Sequence, residues 1–230
     1  MDGDLAAQDG GAAATSLPGY DPGPYFCELT RVRDGDGGVA ATVVGRLAAM
    51  DLADLRRRAL AAEKDMFNLG ITFTVYSEAD AIDRILPFDI VPRIITAPEW
   101  AGLERGIRQR VAALNLFLHD VYNARKILKD GVVPTDLVLG NSNYRPEMEG
   151  FPVPHGTYAH ICGIDIVRDL DGTWRVLEDN ARTPSGVSYV IENRHAMLRG
   201  FPDLMQGIRL RPVDGYGASL HRAMSEIAPA

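Results

Sequence analysis

Lysine is scarce in this 230-residue chain, which holds only Lys64, Lys126 and Lys129. Lysine and arginine together number 24 against 31 acidic residues, giving a formal net charge of -7 and a pI near 5.2. The dense basic face that grips a phosphate backbone is missing, so nucleic acid is not an expected partner. Only two cysteines occur, Cys27 and Cys162, far apart and outside any C-x-x-C pair. Neither a disulfide framework nor a zinc knuckle follows, and a reducing cytoplasm is the expected compartment. No apolar run approaches the roughly 18 residues of a membrane span, and the opening MDGDLAAQDG is acidic where a secretory signal is basic and then apolar. The sequence also lacks a G-x-x-x-x-G-K-S/T loop and a convincing G-x-G-x-x-G, and Gly215-Tyr-Gly217 is too short to substitute. Ser185 and Ser188 have no G-x-S-x-G context, so serine-hydrolase chemistry is not expected.

What is present is an ordinary globular composition, 46% hydrophobic and 24% charged, enough for one large domain or two small ones. Residues 1–25 are rich in Gly, Ala, Asp and Pro without periodicity, as in a disordered tail. Asp34-Gly-Asp-Gly-Gly38 resembles the start of a calcium loop, but its twelfth position is Gly45 where a bidentate Glu is needed, so a flexible turn is expected. From the candidate N-cap Asp51, the spacing of Leu52, Leu55, Ala59, Ala62 and Met66 predicts a helix that Gly70 stops. Ile71–Tyr76 alternates as a strand, and Ile90–Ile95 reads as a shorter one with Pro92 at an edge or strand start. A second long helix begins near Pro98, with Trp100, Leu103, Ile107, Val111, Leu114 and Leu118 on one stripe. Arg105, Arg108 and Arg110 then fall on its solvated face. Between Asp130 and Pro154, Gly, Asn and Pro signal loops with room for one short strand, and such a stretch can border a site.

The chemistry-bearing segment is Gly163 to Asn180, which reads as strand, tight turn at Leu170-Asp-Gly172 and return strand. Asp-Gly between two β-prone runs is a strong hairpin signal, so Asp169 and Asp171 are expected as turn formers. Asp165 and Glu178 lie thirteen positions apart, and a hairpin closing near Asp171 brings them opposite one another. Asn180, two residues past Glu178, points to the same face. Three hard oxygen donors on an open patch suit Mg²⁺ carrying a nucleotide phosphate; an ordinary polar strand face fits the spacing equally well. His155 and His160 sit on opposite sides of a strand start with no Cys or Glu to complete a zinc set, and loop roles are expected for them.

The D-x12-E-x-N pattern of Asp165, Glu178 and Asn180 resembles the metal-binding end of ATP-grasp ligases. The longer phrase Leu177-Glu-Asp-Asn-Ala-Arg-Thr-Pro-Ser-Gly-Val-Ser-Tyr189, followed by Glu192-Asn-Arg194, is similar to the bacterial circularly permuted ATP-grasp family in particular. So are Gly70–Tyr76, Pro87-Phe-Asp89, Pro92-Arg93 and Gln109–Leu118, and the likeness spans about Asp51 to Pro212. The resemblance implies a mixed α/β, ATP-grasp-like, circularly permuted fold. It implies Asp165, Glu178 and Asn180 as Mg²⁺ ligands and ATP as cofactor. Arg182 would be the catalytic arginine that meets a phosphate or the developing acyl phosphate, against which stands a plain salt bridge. Ser185 and Gly186 would open a helix running through Met197, whose free N–H groups meet a substrate carboxylate; a simple helix cap is the alternative for Ser185.

The activity implied is Mg·ATP-dependent joining of a small-molecule or peptide carboxylate to an amine through an acyl phosphate. Neither nucleic acid nor a membrane takes part, and an oligomer is compatible with this. The related ligases often carry an Arg two residues before the first metal Asp, where this chain has Gly163, so Arg182 or Arg168 is left to stabilise charge. The family's phosphate cradle uses strand lysines and a Gly-rich loop, whereas all three lysines here fall on predicted helices or their ends. Residues 26–215 are therefore expected as the amino-terminal portion of a circularly permuted ATP-grasp domain, with the metal-site hairpin over 160–182. Residues 216–230 are expected as a tail or the start of a second half, and the ATP-grasp fold as incomplete. The other reading is a non-catalytic binding or assembly module that keeps an ATP-grasp-like surface.

Overall fold

The computed structural model describes residues 19–31, 38–76, 81–85, 87–184 and 186–228. Most of the tail assigned to 1–25, the Asp34-Gly-Asp turn and Ser185 lie outside the described residues. The element order is α1 (Val39–Ala49), α2 (Leu52–Asn68), β1 (Thr72–Tyr76), β2 (Ala81–Ile85), α3 (Ala97–Tyr122), α4 (Lys126–Lys129), α5 (Thr135–Leu139), β3 (Gly163–Arg168), β4 (Trp174–Asn180), α6 (Val187–Gly200), α7 (Pro202–Met205) and α8 (Tyr216–Ile227). Among the described residues, two sheets of two strands, β1–β2 and β3–β4, complete a mixed helix and sheet architecture. The chain divides into two compact units. One comprises Met1–Trp100, Arg168–Thr173 and Gly186–Arg211; the other comprises Ala101–Val167, Trp174–Ser185 and Pro212–Ala230.

The first unit is built on helices whose apolar residues recur at helical spacing. In α1, Ala40, Val43, Val44 and Leu47 are buried, and the last three meet Cys27, Leu29, Met197, Phe201 and Leu204 in one cluster. Phe201 and Leu204 are fully enclosed. As the spacing predicts, α2 is capped by Asp51, whose carboxylate accepts the Asp54 N–H at 3.0 Å, and it ends before Gly70 at φ 74. Arg58 of α2 reaches Asp203 at 3.2 Å. Strand β1 pairs antiparallel with β2, Thr72 facing Ile85 and Tyr76 facing Ala81.

Residues 90–95 form no strand. Asp89 Oδ1 accepts the Val91 N–H at 2.9 Å, which bends the chain, and Pro92 has no N–H to give a ladder. Ile90 and Ile94 instead pack on the α1 cluster, and Arg93 bonds the buried Glu28 at 2.9 Å. Next, Thr96 and Glu99 form a reciprocal cap at the start of α3. The Thr96 N–H donates to Glu99 Oε2 at 2.9 Å, and the Glu99 N–H donates to Thr96 Oγ1 at 3.4 Å.

In the second unit, the stripe of α3 from Leu103 to Leu118 is its half-buried face, and Val121 is fully buried. The segment between Asp130 and Pro154 holds the short helix α5 and a 3₁₀ turn at Pro146–Met148, with no strand. Asn115 of α3 receives the Tyr158 and Ala159 N–H groups at 2.7 and 2.9 Å and donates to the Ala159 carbonyl, which holds the approach to β3. Residues 216–227 are helical in α8. Among the described residues, no helix is long and apolar enough to cross a membrane. Both cysteines are free thiols.

Candidate functional site

The β3–β4 hairpin closes as its residue types demand. The Gly172 N–H donates to the Asp169 carbonyl at 2.9 Å, the Asp169 N–H donates to the Thr173 carbonyl at 2.9 Å, and Gly172 takes φ 85. This is a three-residue loop with a left-handed glycine. Asp169 and Asp171 each accept a nearby backbone N–H at 2.8 Å, from Leu170 and Thr173, and so act as turn formers. A Cβ on Gly172 would lie 2.6 Å from the Phe26 ring, so only glycine permits this approach.

At the turn, Asp169 faces Thr173, and an unbroken ladder from there would set Asp165 opposite Leu177. At the open end, a Cβ on Gly163 would lie 3.6 Å from the Asn180 Cβ, so the two strand ends lie close together. On β4 four successive residues, 175–178, are exposed. Glu178 and Asn180 share the outer face, and Asn180 Nδ2 donates to Glu178 Oε1 at 3.1 Å. Asp165 is exposed on β3.

Asp179 points the opposite way and is tied to Arg110 of α3 through two nitrogens, each at 2.6 Å. The guanidinium holds the Asp179 carboxyl below its ordinary range, and Asp179 in turn raises Arg110. Arg110 is thus a clamp on the back of β4 rather than a residue of a merely solvated face. Nothing local to Arg110 signals this. Asp179 does carry a signal, since an acid between two outward residues must face inward and find a partner.

Gly163 has its own explanation. A Cβ there would come within 3.1 Å of the Pro184 Cβ, so the space that an arginine would need is filled by Pro184 and Asn180. Arg168 is committed elsewhere, inside the first unit. It is 6% exposed, bonds Glu99 at 2.6 Å and the Gly172 carbonyl at 3.1 Å, and lies 3.8 Å from the Phe26 ring centroid. Of the two arginines read from the sequence, Arg182 is the exposed one, and it donates to Asn143 Oδ1 at 3.4 Å.

Gly186, at φ 88, is the N-cap residue of α6, which runs through Gly200. Lys64 lies on α2, and Lys126 and Lys129 lie on α4. His155 occupies a 3₁₀ turn at φ 55, and both His155 and His160 are exposed. Among the described residues, no three His, Cys, Asp or Glu side chains gather as a metal set. The hairpin offers two carboxylates and an amide instead. With the Asn180 NH₂ spent on Glu178, its carbonyl oxygen is the group left to accept, so all three donors are hard oxygens of the kind Mg²⁺ takes. The residues present fit that ion.

Helices around small antiparallel hairpins, one carrying such an acidic face, make up an ATP-grasp-like architecture. The chain belongs to the circularly permuted ATP-grasp family, whose model, described as "A circularly permuted ATPgrasp", matches residues 92–230. It is 43% identical over 213 residues to an uncharacterised protein of Synechocystis sp., covering 93% of this chain and 44% of that protein. It is 45% identical over 207 residues to an uncharacterised protein of Mycobacterium tuberculosis, covering 89% of this chain and 37% of that one. A protein of Frankia casuarinae named "Putative glutamate--cysteine ligase 2-2" is 40% identical over 214 residues, covering 93% of this chain and 24% of that protein. The chain thus spans less than half the length of these relatives.

Proposed function

We propose that the chain supplies the Mg²⁺-binding part of an ATP-dependent carboxylate–amine ligase. Asp165, Glu178 and Asn180 would hold the ion, which when bound would supply positive charge to offset that of the nucleotide phosphates. Arg182 offers its guanidinium to the transferring phosphate, a task to which the planar fork is well shaped. In the whole reaction a carboxylate takes up the γ-phosphoryl group to form an acyl phosphate. An amine then attacks, leaving an amide, ADP and phosphate. The Frankia relative's name is in keeping with an acid and an amine as substrates. The observation that carries the reading is that Glu178 and Asn180 are joined on an exposed face of β4, in a hairpin whose other strand exposes Asp165.

A non-catalytic module with the same surface is favoured by one fact, that all three lysines lie on α2 and α4 and none on a strand. Calorimetric titration of Mg·ATP separates the two. Uptake by this chain that disappears in an Asp165→Asn/Glu178→Gln variant supports the ligase part. Uptake by the whole-length Synechocystis relative alone assigns the nucleotide cradle to segments beyond this chain. No uptake by either favours the module.

A further inference from the structure

The loop 140–150 lies beside the end of β4, and the reading of Arg182 does not account for how rigidly it is held. Tyr144 stacks on Tyr122 of α3 with ring centroids 5.2 Å apart and planes within 12°, and Tyr122 stacks in turn on Tyr158 at 5.8 Å. The Gly150 N–H donates to the Tyr122 carbonyl at 2.8 Å, and the Arg145 N–H donates to the Tyr122 hydroxyl at 3.3 Å. The Tyr144 hydroxyl donates to Glu149 at 2.8 Å, and Arg125 engages both Tyr144 and Glu149. Tyr144 and Arg125 together hold Glu149 below its ordinary carboxylate range. Residues 144, 145 and 150 of the loop are therefore fixed to Tyr122 of α3.

Within this frame the Asn143 N–H donates to Asn141 Oδ1 at 2.9 Å, and the Asn143 side-chain oxygen accepts from Arg182. An exposed arginine ordinarily samples many rotamers, and ordering it on ligand binding carries an entropic cost. An acceptor mounted on a fixed loop removes part of that cost in advance.

We infer that Asn143 is a positioning residue for Arg182: it holds one guanidinium nitrogen so that the remaining N–H groups stay available to an anionic group at the hairpin. The inference rests on the role proposed for Arg182. It predicts that Asn143→Asp, which keeps the oxygen, preserves the arrangement and that Asn143→Ala does not.

The test uses the whole chain, ¹⁵N-labelled, with backbone spectra confirming that each variant is folded. In the unsubstituted chain and in Asn143→Asp, the Arg182 Nη resonances should be separate, as for a hindered guanidinium; in Asn143→Ala they should average. Titration with Mg·ATP should be weakened about fivefold by Asn143→Ala, the scale of one lost hydrogen bond. The Asn143→Ala/Arg182→Ala pair should bind no worse than Arg182→Ala alone. Unchanged Arg182 resonances in Asn143→Ala, or losses that add in the double variant, overturn the inference. If the unsubstituted chain takes up no Mg·ATP while the resonances follow residue 143 as described, Asn143 positioning stands and nucleotide binding by this chain falls.

Discussion

At the scale of single residues, the pair of Arg110 and Asp179 shows how an ion pair shapes the site without facing it. The pair is two-pronged, and Asp179 retains 19% side-chain exposure against 45% for Arg110, so its worth depends on geometry more than on burial. Because the folded pKa of Asp179 is depressed by Arg110, its stabilisation is present above the ordinary Asp value of about 3.9. It is lost as pH falls through the depressed one. Arg110→Gln should therefore lower stability at pH 7, and the gap should narrow as pH falls below about 3.9, to pH 3 and beyond. Urea unfolding at the two pH values checks this, and a gap that stays constant with pH would contradict it.

At the scale of elements, helix α3 and the β3–β4 hairpin show which signals are local. Pro98, the apolar stripe and the reciprocal cap of Thr96 and Glu99 all lie within a few residues of one another. Removing the cap hydroxyl by Thr96→Ala should cost about 1 kcal/mol, the usual scale for an N-cap, read as a shift in the denaturant midpoint at unchanged slope. The hairpin was legible for the same reason, since Asp-Gly imposes the turn whatever surrounds it. Residues 90–95 depart from the strand their β-branched content suggests, because such residues fit a strand only where a neighbour offers a ladder; here an Asx bend and Pro92 direct Ile90 and Ile94 into a helical core instead. Helix α1 follows a Gly-rich sequence, and Ala40, Val43, Val44 and Leu47 carry its period.

At the scale of the whole molecule, each of the two units keeps its own packing. The first depends on Phe201 and Leu204, both at 0% exposure in the cluster with α1. Phe201→Ala should destabilise by roughly 3–5 kcal/mol through lost burial and the cavity left behind. Thermal unfolding followed by near-ultraviolet circular dichroism would show it, and a loss below about 1 kcal/mol would mean that the cluster collapses around the gap.

The sequence by itself determined the elements whose causes are short-range: α2 between Asp51 and Gly70, α3 from Pro98, and the hairpin turn. Only the tertiary structure decided what those elements meet. The commitment of Arg168 to Glu99, the pairing of Arg110 with Asp179 across 69 positions and of Arg182 with Asn143 across 39 are all of this kind. Propensity and periodicity act over a turn of helix or a pair of strand residues. The partner of a charged side chain is chosen by which surfaces pack together, and no local pattern in the chain encodes that choice.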